Sequence, residues 1–532
     1  MLTLTFHDLL AKNVDGHGDP AALIEDGYEL SYAELDQRVE ALAGWLVDFG
    51  IRRGDRVGIQ LHKCTEEVVA MFAAARIGAI FVNFHHNWTH PHTVYGLGDC
   101  RPRILFADTR RAREIATAQL PEPLEHVVVV GDCPDHEHMT AWSDLPSDLR
   151  APDSPVIDKD LAAILYTSGS SGWPKGSMLT HRNLVYSARY AVRQLRNSSE
   201  DRLLALLPFS FSYGLMQLTT MCMAGGSCVI LRAPMTADIL DTLASKRITG
   251  LAGTPTTWIA CTEELSATPR QFPALRYITS SGAPVPTPVL DALPRVFPGV
   301  EIHLLYGTTE GLRATAVPPE EYPTKKGSLG KAISGVEVFV IAEENGVCGP
   351  GEEGELVYRS TAVCDGYWGK PRETARKFKA CPQLQHILGD EKVLYSGDTV
   401  RIDEDGFLWY VGRNDSLIQV GGSRVSPTEV EDCLYQSSLI KNAVAFGVAD
   451  ERQGQVVHVA VSSPDCSRVD EQVLMRYCRK NMPPHLVPAV IHHWEGDLPS
   501  NGRGKLDRVR IVETCTAQVP PGSQEARHET HA

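Results

Sequence analysis

The chain has 532 residues, 43% hydrophobic and 22% charged, with a formal net charge of −15. This length exceeds one ordinary core, so one large compound domain and at least one smaller one are expected, in a composition normal for a soluble globular protein. The acidic balance disfavours a nucleic-acid partner, which needs a basic surface, but a local pocket can still oppose the global charge.

Thirteen scattered cysteines without a CxxC pair read as reduced thiols in a cytoplasmic protein. The start, MLTLTFHDLL, has no basic residues and is a poor signal peptide. The most apolar stretch, from Ala70 to Phe84, is broken by Arg76 and Asn83 and is shorter than the ~20 residues a membrane span takes. No membrane partner is expected.

In chain order, Ser31 to Gly50 reads as a helix, with Leu35, Val39, Leu42, Leu46 and Phe49 on one face. Ser31 and Glu34 make a capping box, and Gly50 is a natural stop. A strand through Val57, Ile59 and Leu61, a helix from Glu66 to Ile77 and the strand AIFVNF then suggest a crossover unit in a parallel sheet. The alternation recurs: a strand over Leu161 to Tyr166, a helix from His181, strands in RLLALLP and SCVILR, a helix over Ala237 to Lys246, and a strand in ITGLAGTP. Near Gly327 the texture changes to short strands with glycine turns, which fits a small antiparallel barrel or ribbon. After Gly412, PTEVEDCLYQS, NAVAFGVAD, VVHVAVSS and DEQVLMRYCRKNM predict a smaller α+β domain. The tail after about Val512 lacks a hydrophobic pattern and is expected to be disordered.

Five segments carry chemistry. The strand ending at Tyr166 runs into Thr167, Ser168, Gly169, Ser170, Ser171, Gly172 and, after Trp173 and Pro174, Lys175. Glycines and hydroxyls let backbone N–H groups converge on an anion, and Lys175 adds charge, although the composition also fits a flexible loop. The Walker spacing is absent, because Lys175 follows Pro174 and precedes Gly176. Tyr306, Gly307, Thr308, Thr309 and Glu310 place an aromatic face, two hydroxyls and a carboxylate after an apolar strand; a capped turn is the plain alternative. Asp398 can accept from a vicinal diol or simply cap a Gly-Asp turn. Gly421 and Gly422 permit close backbone approach or a β-turn. Lys505 lies in the glycine-rich NGRGKLDR, where a lysine is otherwise merely solvated.

Together LYTSGSSGWPKGSMLTHRN, SSGAP, YGTTE, YSGD, GRNDS and NGRGK resemble, in order, the signatures of the adenylate-forming superfamily: acyl-CoA synthetases, peptide-synthetase adenylation domains and luciferases. The likeness runs from about Ser31 to Arg508. It implies an α/β fold: a large N-terminal domain of two parallel-type α/β sheets layered with helices plus a small β-barrel (1–412), a small mobile α+β C-terminal domain (413–515), and a tail (516–532). It implies that Thr167 to Gly172 and Lys175 cradle the phosphates of ATP, and that Gly282, Ala283 and Pro284 run beside adenine, which Tyr306 flanks with Gly307 and Thr308. Thr309 would contact the α-phosphate, Glu310 with Thr167 would hold Mg²⁺, Asp398 would take the ribose, and Arg413 would support the ribose and phosphate. Lys505 would be the catalytic lysine of adenylation, alongside Lys175, Thr309 and Glu310. Asp415 would be the hinge between domains, and Gly421 and Gly422 would line the thiol tunnel.

The function so implied is activation of a carboxylic acid as acyl-AMP, with release of pyrophosphate, then transfer to the thiol of coenzyme A in fatty, aryl or secondary metabolism. A phosphopantetheinyl carrier protein acting in trans is an alternative acceptor, and a non-catalytic acyl-adenylate binding protein a remoter reading. The acyl pocket is expected at Phe209, Ser210, Phe211, Tyr213, Trp258 and Ser281. Ser210 stands where amino-acid-activating relatives carry an aspartate, which argues against an α-amino acid, while Phe209, Phe211, Tyr213 and Trp258 favour an apolar or aromatic acid. Arg313 is a candidate for a polar group on the substrate. His85, His86, His90 and His92, like Asp135, His136, Glu137 and His138, lack an ordered zinc spacing and read as polar loops. A monomer or homodimer is expected.

Overall fold

The computed structural model describes residues 3–14, 20–117, 122–167, 173–232, 234–342, 346–413, 418–420, 423–450, 454–463, 469–482, 486–500 and 505–517. Ser168 to Gly172, Asp415, Gly421 and Gly422 lie outside them. Contacts divide the chain into two compact units: residues 1–282, 294–339 and 357–396, and residues 283–293, 340–356 and 397–532.

The first unit holds two large mixed sheets. In one, the seven strands run from edge to edge as Met139–Ala141, His126–Val130, Ile104–Asp108, Arg56–Gln60, Ile80–Asn83, Leu161–Thr167 and Lys175–Thr180. All neighbours are parallel except the last pair, an antiparallel hairpin that carries the glycine-rich segment. In the other, nine strands follow the order Lys331–Ala332, Leu312–Val317, Glu301–Thr308, Tyr277–Ser280, Gly250–Gly253, Arg202–Ala205, Ser227–Ile230, Ala21–Glu25 and Tyr28–Ser31. Its middle is parallel and buried, as near-continuous apolar strands require.

The expected crossover unit is present: Arg56–Gln60, helix Thr65–Arg76 and Ile80–Asn83, the strands pairing in parallel. The helix of Tyr32–Asp48 starts on a formed capping box, with Ser31 accepting from the Glu34 N–H and Glu34 accepting in return, and the chain leaves it at Gly50 with φ of +96°. Where short strands with glycine turns were expected there is a six-stranded sheet, including the antiparallel hairpins Phe378–Ala380 with Lys392–Ile402 and Lys392–Ile402 with Leu408–Arg413.

The second unit contains a five-stranded sheet around Asn442–Asp450 and Gly454–Ser462, with helices Pro427–Gln436 and Glu471–Asn481 packed through Val430, Leu434, Leu474 and Cys478. One expectation is corrected here. The tail expected to be disordered after about Val512 is helical as far as Ala517: a helix runs Arg508–Ala517, two residues past the 413–515 bound given for the C-terminal domain, and Ile511 and Cys515 pack on Val444, Phe446 and Ala460. Every described cysteine is a free thiol, and no helix among the described residues is long and apolar enough to cross a membrane.

Candidate active site

In the first unit, Thr167 and Lys175 are partners across the hairpin, and the Thr167 hydroxyl donates to the Lys175 carbonyl at 3.4 Å. Tyr166 is anchored below, its hydroxyl donating to Asp99 at 2.7 Å while Lys370 pairs with the other Asp99 oxygen at 2.8 Å. Burial, reinforced by the neighbouring charge of Asp99, raises the Tyr166 phenol far above its ordinary range, so it stays a donor.

Tyr306 to Glu310 end one strand and turn into the next, Leu312–Val317. Register shifts between Tyr306 and Gly307, and Leu312 takes φ of +54°. A Cβ at Gly307 would stand 1.8 Å from the Leu312 carbonyl oxygen, so the turn closes only over glycine. Gly311 lies flush on the Tyr358 ring, whose hydroxyl meets Thr308 at 3.0 Å. The Thr309 hydroxyl is 3.5 Å from that of Ser212, the first residue of helix Ser212–Ala224.

The hairpin and the turn are joined by a segment the sequence reading passed over, residues 364–368. Cys364 N–H donates to the Glu310 carbonyl at 2.7 Å, Asp365 and Gly366 pair with Met178, and Trp368 N–H donates to Gly176 at 2.8 Å. Buried Tyr367 then donates its hydroxyl to Glu310 Oε1 at 2.6 Å, and Lys175 Nζ lies 5.7 Å from the centre of its ring. Two residues 135 positions apart, Lys175 and Glu310, are thus held by the same side chain. Tyr367 is the functional-site residue that sequence reasoning missed. Its only local signal is an aromatic after Gly366, which takes φ of +115°. Glu310 Oε2 has no hydrogen-bond partner among the described residues, so it is a hard oxygen donor available to a cation.

The acyl-pocket candidates separate. Phe209 and Trp258 are fully buried, and Trp258 packs edge-on against Phe297, which makes it part of the core. Buried Ser210 leaves its hydroxyl without a partner, and Phe211 lies 5.3 Å from His85. His85 is itself buried, unlike exposed His90, so the expected polar loop does not extend to it. Ser281 is half-buried. Tyr213 and Arg313 line one cavity, where Tyr213 bonds Thr279 at 2.6 Å and burial pushes its phenol up to about 12. Gly282, with φ of +97°, is exposed; Ala283 and Pro284, also exposed, fall in the second unit.

In the second unit, buried Asp398 pairs across the hairpin with exposed Arg413, their charges 3.4 Å apart. Half-exposed Lys505 precedes Leu506, which bridges to Ser500, and Asp507 N–H donates to the Pro499 carbonyl at 2.8 Å. Arg508 then donates to Glu431 of helix Pro427–Gln436 at 2.5 Å, which fixes the chain just past Lys505.

Residues 10–368 match the family model described as AMP-binding enzyme, and residues 429–505 that of the AMP-binding enzyme C-terminal domain. A feruloyl-CoA synthase of Amycolatopsis sp is 30% identical over 91% of this chain and 94% of its own. A medium-chain fatty-acid–CoA ligase of Escherichia coli (strain K12) is 29% identical over 92% and 87%. In fold, the chain matches the anthranilate CoA ligase AuaEII solved with anthranoyl-AMP, with a TM-score of 0.86 at 24% identity over 98% of this chain and 99% of that one.

Proposed function

The chain belongs to the AMP-binding enzyme family of adenylate-forming ligases, and on that footing we propose that it is an acid–thiol ligase whose acyl acceptor is coenzyme A. The observation that carries this reading is the shared anchoring of Lys175 and Glu310 by Tyr367 beside the Thr309 hydroxyl. A carboxylate is a weak nucleophile facing a polyanion, so a fixed cation and a fixed metal-binding carboxylate are what the first step needs. A carboxylate oxygen of the acid attacks the α-phosphorus of ATP, and the bond to pyrophosphate breaks. The thiolate of coenzyme A then attacks the acyl carbon and AMP leaves.

Glu310, with its available oxygen, and Thr167 suit Mg²⁺, which would supply charge neutralisation on the phosphates. Asp398 and Arg413 are assigned to the ribose, Asp415 to the hinge at the start of a C-terminal domain over 413–515, and Gly421 and Gly422 to the thiol path. Lys505 is assigned to adenylation, where one well-placed donor is worth about 3–4 kcal/mol.

The test separates the half-reactions. Lys505→Ala is expected to abolish ATP–pyrophosphate exchange across a panel of acids, yet to leave thioester formation from supplied acyl-adenylate and coenzyme A. Survival of both reactions refutes the assignment. A coenzyme A thioester formed without any carrier protein fixes the acceptor.

A further inference from the structure

Residues of helix Ser212–Ala224 and of strands Gly250–Gly253, Tyr277–Ser280 and Leu312–Val317 line a narrow cavity with space for about one water-sized group. It reaches the site along the chain: Tyr213 follows Ser212, whose hydroxyl meets Thr309, and Arg313 is the cross-strand partner of Gly307. Two of its lining side chains are poorly accounted for by the fold. Arg313 is 8% exposed and donates to one neutral acceptor, Gln194 Oε1, at 3.1 Å. No carboxylate pairs with it among the described residues, although a guanidinium keeps its charge when buried. Gln217 is 3% exposed, and neither its Nε2 nor its Oε1 has a hydrogen-bond partner in the protein.

Other polar groups of the lining have partners. Tyr213 and Thr279 bond each other, and the Tyr277 hydroxyl accepts from Asn197 at 2.9 Å. A buried cation without a counter-ion and a buried amide without partners both carry large desolvation costs, which a ligand can relieve.

We propose that Arg313 and Gln217 form the distal end of the acyl-binding region and recognise a second carboxylate at the far end of the acid being activated. This rests on the ligase reading above and names its substrate class: dicarboxylic acids, with one carboxylate activated and the other bound. One oxygen of the distal carboxylate accepts from Arg313 and the other from Gln217 Nε2, which neutralises the guanidinium and gives the amide N–H an acceptor. A distal hydroxyl would fill the space but leave the arginine's charge uncompensated, so charge decides for the carboxylate. The cavity holds about one water-sized group, so the proposal requires the Gln217 side chain to shift as the carboxylate enters while keeping its amide N–H on it.

The experiment is ATP–pyrophosphate exchange by the full chain with matched acids: benzoate, 3-hydroxybenzoate and benzene-1,3-dicarboxylate, and hexanoate against hexanedioate. In at least one series the diacid is expected to exceed its monoacid in kcat/KM by about tenfold or more. Arg313→Gln is expected to collapse that ratio, and Gln217→Leu to lower it in part. Should Arg313→Gln fail to fold, Gln217→Leu carries the same readout. Preference for the monoacid or hydroxy acid in both series, or a ratio unchanged in the variants, overturns the inference and leaves the ligase reading standing. Absence of exchange with every acid overturns the ligase reading, and this inference with it.

Discussion

Glu431 in the second unit and Arg313 in the first are both buried charges, and the chain treats them oppositely. Glu431 is 5% exposed, and burial raises its carboxyl above the ordinary range, yet it is provided for: Arg508 donates to one oxygen at 2.5 Å and Ala445 N–H to the other at 2.7 Å. Arg313 receives only the amide oxygen of Gln194. A charge that the fold itself neutralises has a structural purpose, here fixing the segment that bears Lys505. The charge held at a similar depth without a counter-ion is the one we assign to a ligand. A third group, His181, shows the remaining solution, which is to give up the charge: its Nδ1 accepts from Phe6 N–H at 2.9 Å, and burial drives its pKa down to about 3.

The hardest test of this comparison is Arg508→Ala, which strands the Glu431 carboxylate. We expect a loss of about 3 kcal/mol at neutral pH, the low end for a broken buried pair because the guanidinium is half exposed. Removing Arg508 lets the Glu431 pKa rise further, and protonation below it removes the buried charge. The deficit relative to wild type should therefore be largest near pH 8 and shrink as pH falls towards 4, read as urea midpoints. A deficit independent of pH would mean that Glu431 is not what Arg508 serves.

Tyr367→Phe comes next. It removes the donor to Glu310, a hydrogen bond to a charged group worth about 1.5 kcal/mol, and should lower ATP–pyrophosphate exchange because Glu310 loses its fixed orientation. Unchanged exchange would detach this segment from the chemistry.

For His181 the folded-state pKa is depressed, so the stabilisation is present above the ordinary value near 6.5 and is lost as pH falls from there towards 3. The slope from this one proton is at most about 1.4 kcal/mol per pH unit. His181→Leu should flatten the stability profile between pH 6.5 and 5; an unaltered slope would reassign it to other groups.

The smallest expected effect, and the one that sharpens the contrast most, is Arg313→Met. Without a counter-ion to strand, it should change the unfolding free energy, read from urea titration, by less than about 1 kcal/mol or stabilise the protein. A loss as large as that of Arg508→Ala would make Arg313 structural.

Local signals were legible in the sequence and long-range ones were not. The capping box at Ser31 and Glu34 and the strand–helix alternation need only neighbours, and both stand where the periodicity put them. Arg313 was recognisable as a candidate, but its setting was not, since Gln194 is 119 residues away and Gln217 sits on a different helix. Tyr367 reaches Glu310 across 57 residues and has no spacing rule to announce it. The final helix escaped notice because its anchorage is buried Ile511 and Cys515 with half-buried Val512, too few apolar positions to make a readable period. Asp415, Gly421 and Gly422 lie outside the described residues, so their roles stand as proposals.

The segment of residues 364–368 has a practical corollary for recombining this chain with a relative. It is laced to Gly176 and Met178 on one side and to Glu310 on the other. A chimera that exchanges the hairpin or the turn alone splits a co-adapted trio, and its losses should exceed the sum of the separate replacements. Graft boundaries that carry residues 161–180, 306–313 and 364–368 across together keep the interlock intact.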